Sequence, residues 1–275
     1  MRTVAEALKP VHIVRVRDGR RASDADRAAM EEPLEVRLHG QPFAVIMRTP
    51  GADRELAAGF LLSERVLKSP EDLGTIEYCR DPTMQSAENV VNVTLTGTAS
   101  GDLDRVLAER RKTTTNSSCG LCGRLTIESL KNDVPPLRIE GAVQASVVSS
   151  LPDKLRNSQA VFDETGGLHA AGLFRFDGSL TAMAEDVGRH NAVDKVVGRM
   201  LIEDRLPLSQ QLLFVSGRTS FEIVQKALIA GIGVVASVSA PSSLAIDLAL
   251  EGGVTLVGFV RGTSFNIYSH VERIT

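Results

Sequence analysis

The chain has 275 residues, 43% of them hydrophobic, so it can bury a full core as one large domain or two modest ones. Its 31 lysine and arginine residues are balanced by 34 aspartate and glutamate residues, so it has no global positive field to support nonspecific binding to nucleic acid or to an anionic membrane. Residues 1–20 lack an apolar signal core, and no stretch approaches the roughly 18 uncharged residues of a membrane span. We therefore expect a cytoplasmic protein whose basic sites are local.

The first half of the chain is predicted to contain both strands and helices. Residues 1–30 are charged and alanine-rich, which predicts a flexible or peripheral arm. Apolar and polar residues alternate on both sides of Gly40, which predicts a hairpin, and an amphipathic helix over 53–68 follows. Gly59 lies in the apolar face of that helix and indicates close packing. A strand over 90–95, helices over 102–112 and 124–131, and a domain boundary near 140 complete this half.

The second half predicts alternating strands and helices. After a helix over 150–162, a hairpin around Asp177-Gly178 and a helix over 189–201, three β-branched runs are separated by two helical segments. This βαβαβ order predicts a largely parallel sheet covered by helices. The predicted strands are 212–215, 234–238 and 254–260, and the helices between them are 221–229 and 242–250.

Cys119 and Cys122 form a CxxC motif, while Cys79 stands alone. Three cysteines are too few for a secreted disulfide framework, so a reducing compartment fits best. A zinc site lacks a second CxxC or an HxxxH pair, and a thioredoxin-type motif should follow a strand, whereas this one follows the polar run 113–118. An exposed loop rich in small residues suits a thiolate that carries sulfur between proteins, although the spacing alone leaves zinc and disulfide exchange open.

Three polar loops follow the predicted C-terminal strands and should gather at one edge of the sheet, where ligands usually bind in such folds. Each alone resembles ordinary helix capping, but together, with Arg218 and Arg261 at matching strand ends, they predict a site for a nucleotide diphosphate. There is no Walker A pattern. The candidate residues are Ser216, Gly217, Arg218, Thr219 and Ser220 in the first loop, Ser239 in the second, and Phe259, Val260, Arg261, Gly262, Thr263 and Ser264 in the third.

Two further segments combine glycines with ionisable side chains. They are residues 165–171, which contain His169, and residues 185–191, which contain Arg189 and His190. His190 stands beside charged and amide residues at a predicted strand-to-helix junction, a position typical of a functional rim. We therefore add His169, Arg189 and His190 to the candidate site.

These segments together resemble the FdhD family of formate dehydrogenase accessory sulfurtransferases. The resemblance extends from about residue 31 to the end of the chain. It rests on the sequences SSCGLCG (117–123), GGLHAA (166–171), EDVGRHNAVDK (185–195), SGR (216–218), RTPG (48–51) and ELAAGFL (55–61).

The resemblance implies a carrier that takes sulfur from an L-cysteine desulfurase and passes it to the bis-molybdopterin guanine dinucleotide cofactor of formate dehydrogenase. Cys119 would carry the persulfide and Cys122 would assist transfer or form a disulfide with it. The cofactor, which a guanine nucleotide would mimic, would occupy the loop-rich edge, including residues 259–264. The implied architecture is α/β: a peripheral arm (1–30), a small α+β domain ending in the CxxC loop (31–140), and a cytidine-deaminase-like layered domain with a mixed sheet (141–275), assembled as a homodimer.

The residues also bear on three alternative functions. A zinc deaminase needs a His/Cys-x-Glu motif followed by Pro-Cys-x-x-Cys, but His169 is followed by two alanines and the cysteine pair precedes it without a proline. A chaperone that binds the molybdenum cofactor and uses its cysteines only to sense redox state remains an alternative, as does a thiol-disulfide oxidoreductase. Sulfur loading of Cys119 distinguishes the carrier from the chaperone.

Overall fold

The computed structural model describes residues 4–112 and 135–275, apart from positions 81, 82, 84 and 85. The predicted helix over 124–131 therefore lies outside the described residues. The first half contains β1 (Leu8–Arg17), β2 (Arg20–Ala29), β3 (Glu32–Leu38), β4 (Gln41–Arg48), α1 (Asp53–Ser63), β5 (Leu73–Tyr78), β6 (Val90–Leu95), α2 (Gly97–Gly101) and α3 (Leu103–Lys112).

The N-terminal arm has regular structure that the prediction did not include. Strands β1 and β2 form an antiparallel ribbon with Leu8 opposite Ala29 and Arg17 opposite Arg20. Strand β2 is exposed along nearly its whole length and has no apolar alternation, so its sequence carries no strand signal. The base of the ribbon is anchored by a small apolar cluster in which Ala7 packs with Val161 and Leu168.

The second half follows the predicted order of elements, with two changes: one expected helix is divided, and the strand β12 at the end of the chain was not predicted. The expected helix over 150–162 is two helices, because the chain turns at residues 157–159. The remaining boundaries differ from prediction by a few residues. The elements are α4 (Ala145–Arg156), α5 (Ala160–Thr165), β7 (His169–Arg175), β8 (Leu180–Asp186), α6 (Arg189–Ile202), β9 (Gln211–Val215), α7 (Phe221–Ile229), β10 (Val234–Ser237), α8 (Ser243–Gly252), β11 (Thr255–Arg261) and β12 (Ser264–Ser269).

Two sheets organise these strands. The smaller has the order β4-β3-β6-β5, and the larger has the order β12-β11-β10-β9-β7-β8. In the larger sheet only β9, β10 and β11 are parallel, while β7, β8 and β12 join by antiparallel pairing. The sheet is therefore mixed, as the resemblance implied, and the expectation of a largely parallel sheet is wrong. The reason is that the β7–β8 hairpin joins the sheet through antiparallel pairing of β7 with β9, and that β12 returns antiparallel beside β11.

Helices α1 and α6 join the two sheets through one buried core. The main cluster of buried residues includes Leu34 of the smaller sheet and Leu213 of the larger one. The helices approach closely at two glycines: a Cβ atom on Gly59 would overlap the carbonyl oxygen of Asp194, and one on Gly198 would overlap that of Glu55. The predicted close packing at Gly59 is thereby confirmed. This contact fixes α6 against α1, which packs beside the smaller sheet.

Candidate anion-binding edge of the larger sheet

Cys119 and Cys122 lie outside the described residues. Cys79 is a free, partly exposed cysteine just after β5, and its backbone N–H donates to Val90 O. Among the described residues no group of three or more histidine, cysteine, aspartate or glutamate side chains is arranged to hold a metal ion. In the same part of the chain, no helix is long and apolar enough to span a bilayer.

The carboxyl ends of β9, β10 and β11 meet at one edge of the larger sheet, and the antiparallel strands bring two further segments there. Ala171 of β7 lies opposite Val215 at the end of β9, and His169 lies opposite Asp186 at the end of β8. The first loop is fixed to β7 because Ala170 N donates to Ser216 Oγ at 2.8 Å. The histidine and arginine segments therefore lie at the same edge as the three loops.

The three predicted loops contact one another in a row along this edge. Thr219 N donates to Ala240 O at 3.2 Å, and Ser242 N donates to Thr219 O at 3.0 Å. Ser239 O, in the second loop, accepts from Phe259 N at 3.1 Å. The loops after β9, β10 and β11 thus form one continuous surface, as the order of elements predicts.

The third loop differs from its expected form. Residues 259–264 are the end of β11 and a tight hairpin, in which Arg261 pairs with Ser264, so no helix begins here. Val260 is only 1% exposed and belongs to a second core cluster, so it can contribute to the predicted site only through its backbone. Phe259 and Arg261 are exposed and lie on the outer side of the edge, as do residues 262–264.

Two of the three helices that begin at this edge have no side-chain cap. The α8 helix is capped by Ser242, whose Oγ accepts from Ala245 N. The N-cap residues of α6 and α7 are Gly188 and Ser220, and neither makes a side-chain cap bond within the described structure. Each uncapped helix therefore presents free N–H groups and the positive end of its dipole, which together suit an anion.

Arg189, His169 and Gly217 form the corner between these helices. A Cβ atom on Gly217 would lie 3.3 Å from His169 Nδ1 and 3.7 Å from Arg189 Cδ, so the glycine lets the three segments meet. Two buried polar atoms nearby have no hydrogen-bond partner in the described part of the chain: Arg189 Nε and Thr219 Oγ1. Buried polar groups are nearly always paired, so these two indicate an acceptor that binds at the corner.

Both histidines of the site are neutral at physiological pH. Burial, followed by the charge of Arg189, lowers the pKa of His169. Burial is also the main reason that the pKa of His190 falls from 6.5 to about 4, and the charges of Arg189 and Lys226 lower it further. Because both rings are neutral, the fixed positive charge of the site comes from its arginines, namely Arg189 and the exposed Arg218 and Arg261.

The turn before α6 is held by the buried carboxylate of Asp186, one of the residues beside His190 at the predicted rim but not among the candidate site residues. Asp186 is fully buried and accepts from Gly188 N at 2.8 Å, Asn191 Nδ2 at 2.9 Å and Thr49 N at 3.2 Å. Lys195 Nζ lies 2.7 Å from the same carboxylate and also donates to Thr49 O. Glu222, with its Oε2 atom 3.7 Å from His190 Nε2, is the other site neighbour that was missed. The motif segments containing Thr49, Asp186 and Lys195 were the available signal.

Known proteins resemble this chain along nearly its whole length. It is 51% identical over 269 residues to the sulfur carrier protein FdhD of Streptomyces avermitilis, covering 95% of this chain and 94% of that one. It is 45% identical over 267 residues to the protein of the same name from Sulfolobus acidocaldarius, covering 97% and 98% of the two chains. The crystal structure of a formate dehydrogenase accessory protein from Desulfotalea psychrophila matches with a TM-score of 0.77 at 26% identity, covering 98% of this chain and all of that one. The family model of the FdhD/NarQ family matches residues 29–275, and the chain therefore belongs to the FdhD/NarQ family.

Proposed function

We propose that this protein is a sulfurtransferase that carries sulfur as a persulfide on Cys119 and delivers it to the molybdenum cofactor of formate dehydrogenase. Relatives that share about half of its residues are named sulfur carrier proteins, and the similar crystal structure is that of a formate dehydrogenase accessory protein. The observation that supports the acceptor half of the proposal is the sheet edge, where, among the described residues, α6 and α7 have no side-chain cap and Arg189 Nε and Thr219 Oγ1 are buried without a partner.

Loading is a thiolate exchange. The Cys119 thiolate attacks the outer sulfur of the persulfide on an L-cysteine desulfurase, the sulfur–sulfur bond of the donor breaks, and the donor cysteine leaves as a thiolate. A persulfide is then present on Cys119. The same electrons and atoms are retained, so this step needs no oxidant or reductant.

Release uses the second cysteine of the motif. The Cys122 thiolate attacks the inner sulfur, a disulfide forms between Cys119 and Cys122, and the outer sulfur leaves as hydrosulfide. The two cysteines supply the two electrons that reduce the sulfane sulfur to sulfide. A thiol reductant of the cytoplasm then restores the two cysteines.

The acceptor in this proposal is bis-molybdopterin guanine dinucleotide, bound as a substrate by the anion-binding edge. Its phosphate groups fit the first turns of α6 and α7 and the guanidinium of Arg189, and a guanine nucleotide serves as its mimic. Arg218, Ser239 and the exposed residues of the third loop line the outer part of the same edge, whereas Val260 contributes no side chain. The geometry of this edge supports binding of anionic phosphate groups. The assignment of a molybdenum cofactor rests on the family resemblance.

The remaining assignments belong to the same proposal. The partners are an L-cysteine desulfurase and formate dehydrogenase, the active form is a homodimer, and the compartment is the cytoplasm. The larger sheet with its helices forms a cytidine-deaminase-like layered domain from about residue 141, preceded by the smaller α+β domain.

Mass measurement of sulfur loading tests the carrier role. After incubation with a cysteine desulfurase and L-cysteine, a peptide containing Cys119 gains the mass of one sulfur atom, and dithiothreitol removes it. Cys119→Ala abolishes the gain, whereas Cys122→Ala retains it. If the wild-type protein binds guanosine diphosphate but never gains sulfur, the chaperone alternative replaces the carrier. If loading persists in Cys119→Ala and is lost in Cys122→Ala, the two roles are reversed.

A further inference from the structure

Ser220 occupies the N-cap position of α7 without using its side chain as a cap. Its backbone is extended, with φ −90° and ψ 173°, the conformation that N-cap residues adopt. Serine is also one of the preferred N-cap residues, because its hydroxyl can accept from the second or third N–H group of the helix. Ser242 does this for α8, with Oγ 3.3 Å from Ala245 N. The hydroxyl of Ser220 is therefore held elsewhere.

His190 holds it. The Nε2 atom of His190 lies 3.0 Å from Ser220 Oγ and is the hydrogen-bond partner of that hydroxyl. His190 lies in the first turn of α6 and is 7% exposed, so its ring position is fixed by the packing of α6. The contact is therefore built into the packing of α6 against the start of α7.

Because the Ser220 hydroxyl is bonded to His190, it does not cap the start of α7. The backbone N–H groups of Phe221 and Glu222 have no hydrogen-bond partner among the described residues. Thr219, the residue just before the N-cap, is 1% exposed, and within the described part of the chain its Oγ1 atom also has no hydrogen-bond partner. If Ser220 capped the helix, its oxygen would satisfy one of these N–H groups and place a lone pair where an anion would bind.

We propose that His190 is a positioning residue that keeps Ser220 from capping α7 and so reserves the first N–H groups of that helix for the anionic ligand. This inference rests on the proposed function, because the ligand is the nucleotide part of the proposed acceptor. His190 acts through Ser220 and not by its own charge, since the ring is neutral. The ligand thereby gains the Glu222 N–H group, which an ordinary serine cap would have taken, beside the Phe221 N–H group.

A double-mutant cycle tests the inference, with guanosine diphosphate as the probe and titration calorimetry as the measurement. His190→Leu frees the Ser220 hydroxyl to cap the helix, so the affinity falls by about fivefold, the factor that corresponds to displacing one typical side-chain cap. In the Ser220→Ala background no cap can form, and the same His190→Leu change costs less than twofold. His190→Gln, whose amide can replace the contact to Ser220, binds at least threefold more tightly than His190→Leu.

An equal loss in both backgrounds would show that His190 acts by contact or packing and would overturn the inference, as would no loss in either. Amide hydrogen exchange gives a second readout that does not depend on the nucleotide: protection of Glu222 N–H rises in His190→Leu and stays low when Ser220→Ala is added. If the wild-type protein binds no guanosine diphosphate, the proposed acceptor fails, and the exchange data alone decide the positioning role. If His190→Leu does not fold, His190→Asn, which is too short to hold Ser220 from the same backbone position, takes its place.

Discussion

Replacing Arg189 by methionine should weaken nucleotide binding without unfolding the protein. The Nε atom of Arg189 is buried and has no partner in the described structure, so a bound phosphate would accept from it. A hydrogen bond to a charged group typically contributes about 2 kcal/mol, which corresponds to a roughly thirtyfold loss of affinity. Methionine keeps much of the length of the arginine side chain and so preserves packing beside Gly217.

The assay is calorimetric titration with guanosine diphosphate at two salt concentrations. The matched control is Arg175→Met, because Arg175 is exposed and lies at the opposite end of β7 from His169. The wild-type affinity should fall with added salt, and Arg189→Met should show a weaker salt dependence. An affinity unchanged by Arg189→Met, or a loss of equal size in the control, would refute the placement of the phosphate at this corner.

Three further predictions concern stability. Gly198→Ala should lower the free energy of unfolding by about 2 kcal/mol or more in urea denaturation, because its Cβ would overlap the backbone of α1; Gly101→Ala, with open space around it, should change little. Lys226→Met should lower the free energy of unfolding by about 3 kcal/mol in the same assay, because it leaves the buried carboxylate of Asp194 without the ammonium group that now lies 2.6 Å away. A small loss of stability would mean that this pair is not buried as described. The pKa of His190 is lowered from 6.5 to about 4 on folding, so its contribution to stability is complete above pH 6.5 and is lost as the pH falls toward 4. In urea denaturation at several pH values, the free energy of unfolding should therefore change less steeply with pH in this window for His190→Gln than for the wild type. An unchanged slope would exclude a buried neutral ring.

Elements with strong local patterns could be predicted from the sequence. The helix α7 has the predicted bounds, and the β-branched runs of β9, β10 and β11 were located to within a residue or two. Their apolar residues are consecutive in the chain and are flanked by polar loops, so the signal is local. The gathering of the three loops follows from the order of these elements alone.

Long-range pairing could not be predicted in the same way. Strand β7 lies between β8 and β9, and this position brings His169 and Asp186 to the same edge as the loops. Strand β2 has no apolar pattern and depends on its backbone pairing with β1. In both cases the partner strand determines the outcome, and a local window of sequence does not contain it.

The capping serines show a similar limit at the level of single residues. Ser220 and Ser242 each precede a helix in a polar loop, and both were interpreted as ordinary caps when considered singly. Of these two serines only Ser242 caps its helix. The hydroxyl of Ser220 is instead hydrogen-bonded to His190, thirty residues upstream. Val260 illustrates the reverse case, since a residue in a polar-looking segment is part of the core.

The most direct test of the account follows labelled sulfur through both halves of the protein. The wild-type protein is loaded with radioactive sulfur from a cysteine desulfurase, separated from the donor, and mixed with formate dehydrogenase that contains unsulfurated cofactor. We predict that the label moves to the cofactor of the dehydrogenase, that Cys119→Ala carries none, and that Arg189→Met carries sulfur but passes much less of it. Equal transfer by Arg189→Met and the wild type would contradict the claim that the anion-binding edge receives the sulfur acceptor.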